Sequence, residues 1–342
     1  MSNTSNDRYR IVGALGSPYS MKLRAIMRYR QLPHDWVLRT TANRAETANV
    51  KPNLVPMLRY PGESDYRVDS TPLAYDLEAR HPGQRSIIPD DPGHAFLSHL
   101  LEDMADEWLT KAMFHYRWYY DADIYYASHW IADDGYPETR GAERDTAAKM
   151  FADRQIGRMP IVGCTPENKP VIEDTFHRVL ALLESRVSVY DFLFGTRPSL
   201  GDFGIFGQLK PLSTDPTPMA IMRAEAMKTE SWVRQLDDAS GIDGEWLDPG
   251  DDLPAAPMGL LALAGEYYMP FLLANADAVE AGEDTFSLNY AKGPYSQGTF
   301  RYQLKCLSEL RYRLSTLSGE PAERTRAVLQ QTGCLDALNS QR

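Results

Sequence analysis

A chain of 342 residues with 43% hydrophobic and 24% charged side chains has room for two domains and a large core. Its net charge of −11 argues against a nucleic-acid partner, which rewards clustered Lys and Arg, and no run reaches the ~18 consecutive apolar residues of a membrane span. The polar start MSNTSNDRYR lacks the apolar segment of a secretory signal, and Cys164, Cys306 and Cys334 stand far apart, so they are expected to be reduced thiols of a cytoplasmic protein.

The first part of the chain changes period often. RYRIVGAL reads as a strand, and SMKLRAIMRYR as a helix with Leu23, Ile26, Met27 and the stem of Arg30 on one face. HDWVLRTT is a second strand, and VPMLRY and YRVDS are two short strands around the turn cluster PGESD. STPLAYDLEARHPG restarts a helix, with Ser70 or Thr71 as N-cap, Pro72 in the first turn and Gly83 at its end. This order predicts an α/β domain with a small mixed sheet over residues 7–83. The proline-rich QRSIIPDDPG is a linker over 84–93. Helical spacing dominates beyond it, giving a helical domain over 94–250 and a helical extension over 251–342, in which Pro270 is expected to kink a helix and SLNYAKGPYSQGTFRYQ to form a Gly/Pro loop.

Three separated motifs carry the chemistry. Ser17-Pro18-Tyr19-Ser20 lies at a strand-to-helix corner, where backbone N–H groups point outward unpaired. Val55-Pro56 opens a strand, and Asp69-Ser70 follows after twelve intervening residues at a helix start. RPSLGDFGIFGQL places Ser199 and Asp202 as a reciprocal cap on a mostly apolar helix. In this order the motifs resemble the glutathione S-transferase superfamily, over roughly residues 8–240. The resemblance implies an α/β thioredoxin-like N-terminal domain followed by an all-α C-terminal domain, glutathione as co-substrate with no metal, and a homodimer.

It also implies roles. Ser17 donates its hydroxyl to the glutathione sulfur. A free thiol has a pKa near ~8.5, and lowering it by two units takes about 2.7 kcal/mol. Where a redox-type relative carries Cys, this chain has Ser, which favours conjugation over thiol exchange. Val55, before a cis Pro56, offers its main chain to the cysteinyl part. Asp69 and Ser70 receive the γ-glutamyl end, with Asp where most relatives show Glu. Many relatives place Lys just before the Val-Pro pair, but here Leu54 stands there, leaving Lys51 or Asn53 for the glycyl carboxylate. Tyr19 packs against or lines the pocket. Ser199 and Asp202 are structural.

The segment 113–130 holds eight aromatic residues. By the resemblance, Met113, Tyr116, Arg117 and Tyr120 line a pocket for a small hydrophobic electrophile, while other aromatics are core or dimer contact. His99, Glu102, Asp103 and Asp106 have helical spacing, but no second Glu-x-x-His helix accompanies them. They are expected to form a solvated face rather than a metal centre. The expected function is glutathione conjugation or glutathione-dependent isomerisation. The alternative is a non-catalytic binding or interaction module on the same fold, with no nucleic-acid or membrane partner in either case.

Overall fold

The structure, a computed structural model, describes residues 7–83, 85–186 and 188–339. Gln84, the first residue of the expected linker, and the last three residues of the expected extension lie outside them.

The N-terminal part runs β1 (Tyr9–Gly13), α1 (Pro18–Tyr29), β2 (His34–Leu38), a 3-10 segment (Thr41–Thr47), β3 (Met57–Arg59), β4 (Tyr66–Val68) and α2 (Ser70–Arg80). The sheet order is β2-β1-β3-β4. β1 pairs in parallel with β2, with Ile11 opposite Trp36, and antiparallel with β3, with Ile11 opposite Leu58. This is the thioredoxin-like arrangement expected. The cap of α2 differs from expectation: Asp69, at φ 79°, is its N-cap, and its side chain makes no capping bond.

Helix α1 is buried on nearly every side. Leu23 and Met27 pack with Ile11, Leu58 and Leu77 beneath the sheet, and Met21, Ala25, Ile26 and Tyr29 join the core of the helical part. Each of the Leu, Ile and Met side chains among them, removed from water, contributes about 2 kcal/mol.

The helical part holds α3 (Pro92–Met104), a π-helical turn (Ala105–Leu109), α4 (Thr110–Tyr119), α5 (Asp121–Gly135), α6 (Gly141–Ile156), α7 (Lys169–Glu184), α8 (Leu200–Leu212), α9 (Pro216–Glu225) and α10 (Met227–Leu236). Extended backbone at Tyr120 (ψ 134°) separates α4 from α5. Helix α8 is the predicted buried helix, and its cap is the predicted reciprocal one. The Asp202 carboxylate accepts from the Ser199 N–H at 2.9 Å, the Ser199 hydroxyl at 2.7 Å and the Leu193 N–H at 3.1 Å. Glycines let α8 come close to its neighbours: a Cβ at Gly204 would lie 2.9 Å from Glu102 Cα, and one at Gly207 would lie 2.9 Å from the Pro18 carbonyl oxygen.

The extension continues with α11 (Ala255–Leu263), a second π-helical turn (Ala264–Tyr268), α12 (Met269–Ala281), a hairpin of β5 (Thr285–Tyr290) and β6 (Gly293–Gly298), then α13 (Arg301–Thr316), α14 (Gly319–Gln331) and α15 (Leu335–Asn339). One expectation is refined and one corrected. The helix around Pro270 widens into a π turn ahead of the proline, which has no N–H to offer the preceding turn. The expected Gly/Pro loop is a strand pair with Asn289 opposite Pro294 and Ser287 opposite Ser296. Alternation in TFSLNY was the available signal, while Pro294 argued against a strand. As the second residue of β6 in an isolated two-stranded sheet, Pro294 has no inner ladder to break.

Candidate active site

One cavity of about 820 Å³ opens between the sheet-bearing part, the helices α4–α6 and the extension. Its first wall is the strand-to-helix corner. Ser17, at φ −96° and ψ 118°, caps α1: its Oγ accepts from the Ser20 N–H at 3.3 Å, and Pro18 opens the helix. Capping uses only the oxygen's lone pair. Among the described residues the Ser17 hydroxyl donates to none, so its proton is free to point into the cavity that Ser17 lines. The Tyr19 hydroxyl donates to the Asp106 carbonyl at 3.0 Å, tying this corner to the first π turn. Val55 also lines the cavity, and the Val55–Pro56 bond is cis. The Val55 N–H and C=O enter no backbone hydrogen bond among the described residues.

Two residues expected at the glycyl end are placed otherwise. Lys51 is exposed and does not line the cavity. Asn53 lines it, but its amide is used within the protein: Nδ2 donates to the Thr47 carbonyl at 2.8 Å, and Oδ1 accepts from Arg39. Two cations of the sheet-bearing part line the cavity, Arg39 and Arg44, and Arg39 gave no sign in the sequence because it sits in a plain strand-end context, LRTT.

At the glutamyl end, Asp69 and Ser70 lie outside the cavity lining, and Ser70 is 3% exposed. The reason is the extension. The Tyr302 hydroxyl donates to Asp69 Oδ2 at 3.0 Å, Gln303 Nε2 donates to Glu107 Oε2 at 3.2 Å, and Phe300 and Gln303 line the cavity beside them. Gln303 is 3% exposed and its Oε1 has no partner among the described residues. Burial, with the negative charge of Asp69 nearby, pushes the Glu107 carboxyl up. Buried amides hold this arm in place. Asn275 accepts from the Phe300 N–H at 2.8 Å and donates to its carbonyl at 3.1 Å. Asn168 does the same to Ser296, at 3.0 and 2.7 Å.

The second wall is α4. Met113 and Arg117 line the cavity as expected, with Phe114 and Trp118. Tyr116 and Tyr120 do not. The helical period puts Tyr116 on the far side of α4, where its ring packs against Phe176 at 5.0 Å and stacks on Tyr120 at 6.0 Å, and Tyr120 donates to Glu173. Arg117 is almost wholly buried, bonded to Asp215 at 2.7 Å and to the Gly16 carbonyl at 2.6 Å, directly before Ser17. It therefore braces the corner. At the floor, Lys111 donates to Gln297 at 2.8 Å and to the Val162 carbonyl at 3.2 Å, and burial pulls its ammonium down to about 8.

The acidic row of α3 is not solvated, which corrects the expectation. Lys22, fully buried on α1, bonds Glu102 and, at 2.6 Å, Asp106. Asp103 accepts from the Tyr268 hydroxyl at 2.6 Å. His99, buried beside Glu102, is pulled down to about 4 by desolvation, and Asp106 is pushed up to about 7 by burial, with Glu102 adding to the shift. The row runs under the extension and against α1, so its charges meet the buried lysine instead of water. Among the described residues no group of three or more His, Cys, Asp or Glu is arranged to hold a metal ion. The three cysteines are free and buried, and no described helix is long and apolar enough to cross a membrane.

Residues 11–85 match the family model described as Glutathione S-transferase, N-terminal domain. The similarity covers the sheet-bearing N-terminal part of the chain. No curated protein matches the chain. Among solved structures, a glutathione S-transferase from Methylobacterium radiotolerans in complex with glutathione sulfonate is similar, with 20% identity, a TM-score of 0.40, and 72% of this chain and 100% of that one covered. A glutathione transferase from Phanerochaete chrysosporium is 14% identical with a TM-score of 0.47, covering 70% of this chain and 98% of that one. A glutathione S-transferase from Ceriporiopsis subvermispora in complex with glutathione is 13% identical with a TM-score of 0.39, covering 69% and 98%.

Proposed function

We propose that the protein is a glutathione transferase that binds glutathione against the first wall of the cavity and attacks an electrophile held against the second. The observation that carries this reading is the free hydroxyl proton of Ser17 at the mouth of α1, on the same wall as the unpaired main chain of Val55. The hydroxyl donates to the sulfur, and the helix N-terminus favours its anion. Val55 pairs with the cysteinyl main chain like one more strand. Arg39 meets the glycyl carboxylate in place of Lys51 and Asn53. The glutamyl amine meets the acceptors that line this end, Glu107 and the unpartnered Gln303 Oε1. The thiol proton leaves to solvent, sulfur bonds to the electrophilic carbon, and the leaving group departs with its electron pair.

A second reading has one observation in its favour. Tyr302 already occupies the Asp69 carboxylate, which suits a protein that has kept the fold and turned this end over to its own extension. Calorimetric titration with glutathione, followed by an aryl-halide conjugation assay, separates the two. The enzyme reading expects binding and turnover in the wild type, and binding with little turnover in Ser17→Ala. Absence of glutathione binding by the wild type overturns it, and binding without turnover favours the second reading.

A further inference from the structure

We propose that Lys111, at the floor of the cavity, is a carbonyl-binding nucleophile whose side-chain amine condenses with an uncharged aldehyde held there to form an imine. This activity is additional to thiol transfer. It needs neither glutathione nor Ser17, so it stands or falls apart from the proposed function.

Two of the chain's nine lysines are buried, and their surroundings differ. Lys22 meets two carboxylates, Glu102 and Asp106, which hold it as an ammonium. Lys111, 2% exposed, makes no ion pair among the described residues. Its Nζ donates to two neutral acceptors, Gln297 Oε1 at 2.8 Å and the Val162 carbonyl at 3.2 Å, and both residues line the cavity as Lys111 does. Beside Nζ lie ring faces, Phe271 at 4.5 Å and Trp108 at 5.7 Å from their centres. Two acceptors match the two N–H bonds of a neutral amine and leave its lone pair over. An ammonium in the same place keeps a third N–H that no described oxygen or nitrogen takes. The arrangement suits the amine, which is the nucleophilic form.

The titratable neighbours do not undo this. Charge on Cys164 or Glu107 draws the ammonium back up, but burial acts on both of them too. Cys164, whose Sγ donates to the Lys111 carbonyl at 3.3 Å, is pushed up to about 12 and stays a thiol. Glu107, one turn earlier, has its carboxyl pushed up by burial and accepts from Gln303. Tyr295 of β6 donates to the same Gln297 Oε1 at 2.8 Å, and burial raises its phenol well above the ordinary value. Desolvation therefore wins, and Lys111 titrates at about 8. That leaves about a fifth of it as free amine at pH 7.4, against about one part in a thousand for an ordinary lysine.

The step balances without a further reactant. The amine lone pair adds to the carbonyl carbon, and a proton from nitrogen passes to the oxygen. The resulting carbinolamine loses water as the C=N bond forms. Lys111 is the one lysine among the lining residues, and the lining arginines cannot supply this chemistry because a guanidinium keeps its proton. Met113, Phe114 and Val162 line the same cavity and suit an aldehyde with an apolar body.

The test incubates the full chain, without glutathione, with benzaldehyde and cyanoborohydride, whose hydride reduces an imine to a stable secondary amine. Benzylated lysines are then located by peptide mass mapping. At pH 7.4, Lys111 is expected to be labelled about tenfold faster than the exposed Lys51 and Lys305. Its labelling should rise with pH through about 8. Gln297→Glu sets a carboxylate against the amine, so that rise should move up by about one pH unit and labelling at pH 7.4 should fall about tenfold. A side chain that only packs the floor has no such profile to move. Label confined to exposed lysines in the wild type overturns the proposal, and this map needs no variant. A profile unmoved in folded Gln297→Glu overturns it as well.

Discussion

The N-terminal sheet and the C-terminal extension reach the same cavity by different means. The sheet side presents geometry set by its own backbone: a strand end, a cap and a cis peptide bond put Ser17 and Val55 in place with few long-range side-chain bonds. The extension is carried there by amides, Asn168 on Ser296 and Asn275 on Phe300, each gripping both an N–H and a carbonyl far along the chain. A site built the first way is visible as local motifs. A site built the second way depends on partners more than twenty residues apart, and leaves no motif.

The largest effect concerns Lys22, the side chain by which the sheet-bearing part is tied to α3 and the π turn after it. Lys22→Ala leaves Glu102 and Asp106 buried without their cation and is expected to cost about 3–5 kcal/mol in urea unfolding. A loss no larger than that of a surface lysine would mean that water reaches the pair. Next is Ser17→Ala, which tests the sheet side alone. The pKa of bound glutathione's thiol is expected to rise by about two units, a loss of about 2.7 kcal/mol for the anion, read from thiolate absorbance against pH. Unchanged ionisation would leave Ser17 as a cap only.

A smaller effect is expected from pH. Asp106 has its folded pKa raised to about 7, above the unfolded value of about 3.9. The folded state thus holds this proton longer. The stability it brings is complete below about pH 4 and is lost as pH rises through about 7. Melting temperature should fall over that window, and Asp106→Asn should flatten the slope. The smallest effect sharpens the role of the extension. Tyr302→Phe gives up one hydrogen bond, about 1 kcal/mol, and frees the Asp69 carboxylate, so glutathione should bind several-fold more tightly by calorimetry. Weaker binding would make Tyr302 part of the receptor rather than its cover.

The succession of strands and helices in the N-terminal part, α1 with its buried face, and the Ser199–Asp202 cap were all legible, because each is written in residues close in sequence. Asp69-Ser70 stood out as a motif at a helix start, but the tyrosine of the extension that covers Asp69 did not. The acidic row was misread because helical spacing tells which residues share a face and not what lies opposite. Lys22, itself within a helical pattern, gives no sign of being buried. Tyr116 and Tyr120 were misassigned for a related reason: aromatic richness marks a packed region, and only the phase of α4 decides which rings meet the cavity. Arg39, Arg154 and Arg158 carry no local signature, since three elements must fold together before their charges face one space.

The bonds of Lys22 also bear on how the chain is made. When the first hundred residues have left the ribosome, α1 has an ammonium destined for the interior and nothing to neutralise it, because Glu102 and Asp106 are still to follow. The leading domain must therefore stay open on that side until the next helix emerges. The order of synthesis then becomes an order of assembly, with the domain that begins first completed only by the one that comes after.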